Sequence, residues 1–229
     1  QNYGSAFLPA PYEGTRIVGV VNFEGRPPRR MPIRMQSDRY CVNTHRGSAV
    51  LEQNVVVTDD KKLQYVLVYV KSGLPAGQTF DIPADKQQPV LDQHGCMYVP
   101  HVKAIVAGQE LRILNSDSTL HNVDVQSKNN GSFNEGMPVA GMVLNKTFAK
   151  PEMMIPFKCQ VHPWMLSYLH VLPHPFFAVS DVEGRFEIKG LPPGTYEIEA
   201  LHEFDRVKPV TFSVTVTADQ SVRADVNMK

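Results

Sequence analysis

Short runs of alternating apolar and polar residues, separated by turns rich in glycine and proline, extend over most of this sequence. The clearest runs lie at 16–23, 63–70, 103–114 and 177–202, and no amphipathic pattern of 12 or more residues indicates a helix. Alternation with a period of two is typical of strands with one buried face. The sequence therefore predicts an all-β fold.

Length and charge narrow the range of functions. The chain has 229 residues, which suits one large or two small domains, and its 23 Lys and Arg residues balance 23 Asp and Glu residues. A net charge near zero argues against a nucleic-acid partner. No stretch of about 18 apolar residues is present, so we do not expect the chain to span a membrane.

One segment carries three potential metal ligands. Cys159, His162 and Met165 lie at C-x2-H-x2-M spacing, and His121 follows the predicted strand at 103–114. Two imidazoles, a thiolate and a weak thioether form the donor set of mononuclear blue copper sites. Zinc is the main competitor, although structural zinc sites rarely use a thioether.

This segment and the strands before it resemble the cupredoxins, in particular those with an amicyanin-like ligand loop. The resemblance covers roughly residues 97–172 and includes the strand, turn and strand that end at Asn115. It implies a Greek-key β-sandwich that holds one copper ion through His121, Cys159, His162 and Met165. It also implies that Asn122 joins the two ligand loops by hydrogen bonds. A binuclear copper centre is excluded, because it needs a second cysteine in the loop.

The resemblance further implies how such a site exchanges electrons. In cupredoxins the imidazole of the C-terminal ligand loop usually reaches the surface, where an apolar patch docks the partner. That imidazole would belong to His162, with Pro163 and Trp164 beside it. We therefore expect a one-electron carrier, free or as a subunit of a larger assembly, that exchanges electrons with a c-type cytochrome or a membrane electron-transfer complex. The alternative is a copper-delivery or structural assembly protein, and no pattern in the sequence indicates an enzyme.

The other two cysteines bear on the cellular compartment. If Cys159 binds copper, Cys41 and Cys96 remain as a pair that could form one disulfide or stay as free thiols. A disulfide is typical of oxidising compartments. The chain starts with Gln1 rather than Met, which suggests removal of a signal peptide. We therefore expect a periplasmic or otherwise extracytoplasmic protein.

The C-terminal part shows a second pattern. Residues 177–202 read D-x-x-G-x-F-x-I followed by L-P-P-G-x-Y, and they resemble the carboxypeptidase-regulatory, transthyretin-like β-sandwich module. The predicted division is an irregular arm over 1–14, a cupredoxin domain over 15–173 and this module over 174–229. Because the module is short and residues 16–27 resemble its usual first strand, the alternative is that residues 15–30 complete it.

Overall fold

The computed structural model describes residues 12–229, and it describes their side chains from residue 15 onward. The prediction of an all-β fold is confirmed, and the strands pack as β-sandwiches. Of the irregular arm predicted over 1–14, residues 1–11 lie outside the described part, and residues 12–14 belong to the first strand.

Nine strands from the middle of the chain form two sheets that we call the central sandwich. One sheet has the order β5-β11-β10-β7-β8 and the other β4-β3-β6-β9. Apolar side chains from both sheets form its core. The strands are β3 (Val90–His94), β4 (Met97–Val99), β5 (Val102–Val106), β6 (Glu110–Asn115), β7 (His121–Val125), β8 (Phe133–Met137), β9 (Met142–Thr147), β10 (Glu152–Lys158) and β11 (Leu166–Leu172).

Strands from both ends of the chain form a second pair of sheets, the terminal sandwich, with its own core. In one sheet β1 pairs with β13, β16 and β17, and the other has the order β12-β2-β14-β15. The strands are β1 (Tyr12–Phe23), β2 (Leu67–Ser72), β12 (Phe177–Val179), β13 (Arg185–Gly190), β14 (Gly194–Leu201), β15 (Val210–Val216), β16 (Ser221–Arg223) and β17 (Val226–Met228).

The pairing of β1 and β2 bears on the domain division. Both strands come before residue 174, yet β1 pairs antiparallel with β13 and β2 lies between β12 and β14. Their apolar faces enter the core of the terminal sandwich, since Ile17 and Val68 are both 0% exposed. A boundary at residue 174 therefore separates strands that share sheets and a core. The pairing of β1 favours the alternative that residues 15–30 complete the C-terminal module. The domain boundaries themselves stay a prediction.

The segment between β1 and β2 crosses to the central sandwich and covers one of its ends. It contains the short helix α1 (Arg39–Thr44), which begins after Asp38, and Asp38 accepts hydrogen bonds from the backbone N–H groups of Tyr40 and Cys41. Cys41 forms a disulfide with Cys96, 55 residues away. Closing a loop of this length stabilises a fold by about 4 kcal/mol in the chain-entropy model. A 3-10 turn at Ala84–Lys86 lies in the later connection to β3.

The close packing of β1 gives a test of the terminal sandwich. A Cβ atom added at Gly19 would overlap the carbonyl oxygen of Ala224 and lie 2.7 Å from the ring of Phe186. Gly19→Ala should therefore lower the free energy of unfolding by about 1 to 3 kcal/mol, measured by urea denaturation. Gly136→Ala is the matched control, because Gly136 lies in β8 with no atom within 4 Å of the added Cβ. Equal stability of the two variants would contradict this packing.

Candidate metal centre

Three of the predicted ligands converge at one end of the central sandwich. His121 is the first residue of β7, while Cys159 directly follows β10 and His162 lies in the loop that leads to β11. Strands β7 and β10 are antiparallel neighbours in the same sheet, so the start of one lies beside the end of the other. The site thus spans two adjacent strands, and the three side chains are 0%, 2% and 1% exposed.

The donor atoms of these side chains face a common point. The two Nδ1 atoms of His121 and His162 are 2.9 Å apart, and the Sγ atom of Cys159 is 3.8 Å from Nδ1 of His162. One donor atom from each of the three residues fits within a group less than 4.8 Å across. This is the arrangement of donors that a single metal ion needs.

Met165 closes the ligand loop. Its backbone N–H donates to the carbonyl of His162, and its own carbonyl accepts from the N–H of Cys159. The side chain is 1% exposed and belongs to the core of the central sandwich. These hydrogen bonds hold Met165 in the same loop as Cys159 and His162, and the role of its thioether as axial ligand stays a prediction.

Each imidazole is held from behind by a carboxylate. Nε2 of His121 lies 2.9 Å from Oδ2 of Asp117, and Nε2 of His162 lies 3.0 Å from Oδ2 of Asp38. A carboxylate only accepts hydrogen bonds, so each Nε2 carries a proton and donates it. In a neutral imidazole the lone pair is then on Nδ1, which faces the common point. Carboxylates in this position orient metal-binding histidines and raise their basicity.

The two carboxylates are themselves fixed by other hydrogen bonds. Asp117 accepts from the backbone N–H groups of Gly95 and Cys96, at 2.8 and 2.7 Å. Asp38 accepts from the hydroxyl of Thr119 at 2.8 Å. Neither aspartate was predicted from the sequence. Asp117 stands four residues before His121, a spacing that could have suggested it, whereas no local signal connects Asp38 to His162, 124 positions away.

Asn122 links the segment of His121 to the segment that follows Cys159. Its Oδ1 atom accepts a hydrogen bond of 2.6 Å from the backbone N–H of Gln160, directly after Cys159. The hydroxyl of Tyr98 donates to the carbonyls of both Asn122 and Lys158. The two segments that carry His121 and Cys159 are therefore joined by side chains as well as by the sheet.

The pKa values of the site favour metal binding by the thiolate. Burial alone would raise the pKa of Cys159, but hydrogen bonds from His121 and His162 lower it to about 6. For His121 burial acts in the opposite direction and would lower the pKa, but the contacts with Asp117 and Cys159 raise it to about 9. The protein alone thus holds a thiolate beside a protonated imidazole. A metal ion that binds here displaces that proton.

The structure corrects the expectation that His162 reaches the surface. Its imidazole is 1% exposed and is covered by Asp38, by the ring of Trp164 at 5.0 Å and by Sγ of Cys41 at 3.6 Å from Nε2. The indole N–H of Trp164 donates to the carbonyl of Cys96. Pro163 is exposed and Trp164 half-buried, and their role in docking a partner stays a prediction.

Comparisons with known proteins give partial structural likenesses. No family model matches the chain, and no curated protein matches it. A copper-containing nitrite reductase from Thermus scotoductus is 20% identical over 44% of this chain, with a TM-score of 0.35. A purple cupredoxin from Nitrosopumilus maritimus is 20% identical over 37% of this chain and 99% of its own, with a TM-score of 0.32.

A third likeness is to a mutant of amicyanin in its Cu(I) form. It is 18% identical over 45% of this chain and 97% of its own, with a TM-score of 0.33. The match to the nitrite reductase covers 25% of that protein, so this chain spans about a quarter of its length.

Replacing one of the two carboxylates tests their part in holding the site. Asp38→Asn keeps an oxygen that can accept at the start of α1 but removes the charge behind His162. We expect the affinity for Cu(II), measured by competition with a chelator, to fall about 10- to 100-fold. Asp124→Asn is the matched control, because Asp124 accepts from the side chain of Gln160 and contacts neither imidazole. Equal affinities of the two variants would contradict the role of Asp38.

The contact between Asp38 and His162 should also affect how the stability of the metal-free protein depends on pH. Burial acts to raise the pKa of Asp38, but hydrogen bonds from Thr119, His162 and the backbone of α1 lower it from 3.8 to about 2. A lowered pKa adds stability that is fully present above pH 4 and is lost as the pH falls towards 2. The stability difference between wild type and Asp38→Asn, measured by urea denaturation, should therefore shrink between pH 5 and pH 2.5. A constant difference would contradict this assignment.

Proposed function

We propose that this protein is a type 1 copper protein that carries single electrons. The observation that supports it is the meeting of two imidazole Nδ1 atoms and one cysteine Sγ in a buried site. Copper supplies a one-electron couple when it is bound, since Cu(II) and Cu(I) both accept this mixture of nitrogen and sulfur donors.

The arrangement of donor atoms is more favourable with a bound metal cation than in the metal-free protein. With both Nε2 protons donated to Asp38 and Asp117, two Nδ1 lone pairs point at each other across 2.9 Å. Two acceptors at this distance repel unless a cation lies between them. A proton can fill this role only by giving one imidazole a second N–H, whereas a metal ion satisfies both lone pairs and the thiolate together.

The rigidity of the site supports electron transfer. Hydrogen bonds hold each imidazole, the ligand loop and the two ligand-bearing strands, so the donors keep nearly the same positions in both oxidation states. A small rearrangement keeps the barrier to electron transfer low. These protein groups orient the ligands, exclude water and keep the thiolate deprotonated.

Burial argues against copper delivery as the main role. A delivery protein must release its metal, and all three ligands here are at most 2% exposed behind a disulfide-linked segment. We also propose a carrier rather than an enzyme. Three groups of side chains that could hold a metal ion occur among the described side chains of residues 15–229, and each includes His121 or His162, so they describe one centre.

A c-type cytochrome or a membrane electron-transfer complex suits such a carrier as partner. The location that we propose is periplasmic or otherwise extracytoplasmic, and the disulfide between Cys41 and Cys96 supports it. None of the helices in the described part of the chain is long and apolar enough to cross a membrane.

The visible and electron paramagnetic resonance spectra of the copper-loaded protein test this proposal. Charge transfer from Cys159 to Cu(II) should give the wild type an intense visible band, and Cys159→Ser should abolish it. Met165→Leu is the matched variant, because it keeps the thiolate. It should retain the band and raise the reduction potential, since losing a weak donor destabilises Cu(II) relative to Cu(I). A colourless copper-loaded wild type would rule out the proposed site.

A further inference from the structure

The surface above His162 differs in charge from the rest of the molecule. The segment at 26–46, which contains α1 and Asp38, has six arginines and a single acidic residue, although the whole chain is neutral. We call this segment the arginine cover. Since the chain as a whole is neutral, the remaining residues carry a net negative charge that balances it.

The positive charge of the arginine cover is available to a partner. Five of its six arginines are exposed: Arg26, Arg29, Arg34, Arg39 and Arg46. None of them forms an ion pair with a carboxylate among the side chains described, those of residues 15–229. The same holds for Arg30, whose guanidinium donates to the backbone carbonyls of Leu51 and Glu52. Unpaired arginines on one surface create a field that attracts anionic molecules.

The arginine cover lies one layer of contacts from the proposed copper ligands. Asp38 accepts a hydrogen bond from His162, and Cys41 is in contact with the same imidazole. Met35 packs into the core of the central sandwich at 5% exposure. A molecule that binds on this cover therefore comes close to His162 without touching it.

A groove joins the cover to the ligand loop. It has a volume of about 500 Å³, and its lining includes Met31, Arg34, Pro163 and Trp164. Met31 is 50% exposed, and the ring of Trp164 is 5.0 Å from that of His162. One carboxylate, that of Glu52, is among the described lining residues. The groove thus combines apolar side chains with one arginine and one glutamate, and Trp164 connects it to the ring of His162.

We propose that the arginine cover and this groove form the docking surface for an acidic electron-transfer protein. Charge complementarity selects the partner, and Trp164 and Met31 supply the apolar contact at the centre. The inference rests on the proposed electron-transfer function. If copper is bound, one electron would pass from Cu(I), which becomes Cu(II), to the partner, whose redox group would be reduced by that electron.

Two soluble cytochromes, one acidic and one basic, serve as probes. Binding is measured by calorimetry with metal-free and copper-loaded protein, and electron exchange by stopped-flow mixing of the Cu(I) protein with each ferric cytochrome. We expect the acidic cytochrome to bind, to be reduced faster than the basic one, and to lose about tenfold or more in rate as the ionic strength rises.

A pair of double variants locates the surface. Arg34→Gln with Arg39→Gln should weaken binding of the acidic cytochrome and slow its reduction several-fold at low salt. Lys128→Gln with Lys150→Gln is the matched control and removes the same charge from two exposed lysines. Lys128 follows the end of β7, and Lys150 precedes the start of β10, away from the ligands. This control should leave both measurements nearly unchanged.

The outcomes separate the two proposals. If the two double variants behave alike, or the basic cytochrome binds and is reduced as well as the acidic one, the docking surface is overturned. If the acidic cytochrome binds metal-free protein in an arginine-dependent way but the copper-loaded protein reduces neither cytochrome, the electron-transfer function fails while the surface remains.

Discussion

The two carboxylates behind the imidazoles determine what the centre can do. Without Asp117 and Asp38, either ring nitrogen of His121 or His162 could carry the proton, and each ring could rotate away from the thiolate. With both Nε2 atoms committed to donation, the Nδ1 lone pairs must face each other. Two opposed lone pairs repel, so the metal-free protein keeps a proton at one of them, in line with the raised pKa of His121. A metal ion would replace that proton and satisfy both lone pairs.

Different parts of the chain supply these carboxylates. Asp117 lies between β6 and β7 of the central sandwich, whereas Asp38 belongs to the segment that connects β1 and β2 of the terminal sandwich. The terminal sandwich is thus more than an appended module. Because β1 and β2 are anchored in it, the segment between them is fixed at both ends while it covers the metal centre. Packing of the terminal sandwich therefore helps to hold the segment that covers the metal centre of the central sandwich.

Much of this was accessible from the sequence. Strand alternation with glycine and proline turns predicted the all-β fold, because a period of two is a local property of the chain. The spacing of Cys159, His162 and Met165 predicted a metal loop, and the strand before His121 predicted where the other imidazole would lie. The cover over His162 could not be predicted, since the contact between Asp38 and that imidazole joins positions 124 residues apart and depends on how the sheets pack. For the same reason the predicted division placed β1 with the cupredoxin domain and gave its pairing with the C-terminal strands only as the alternative.

The disulfide between Cys41 and Cys96 has a consequence for the order of assembly. Cys41 fixes the turn of helix that presents Asp38, and the backbone N–H of Cys96 holds Asp117. The bond therefore ties together the two segments that position the carboxylates. In a reduced chain, Cys41 and Cys96 would offer two further thiols beside the imidazoles, so three thiols rather than one would compete for copper. We expect oxidation of the cysteine pair before metal loading to leave Cys159 as the single thiol for the metal, which would link maturation of the centre to the redox state of the compartment.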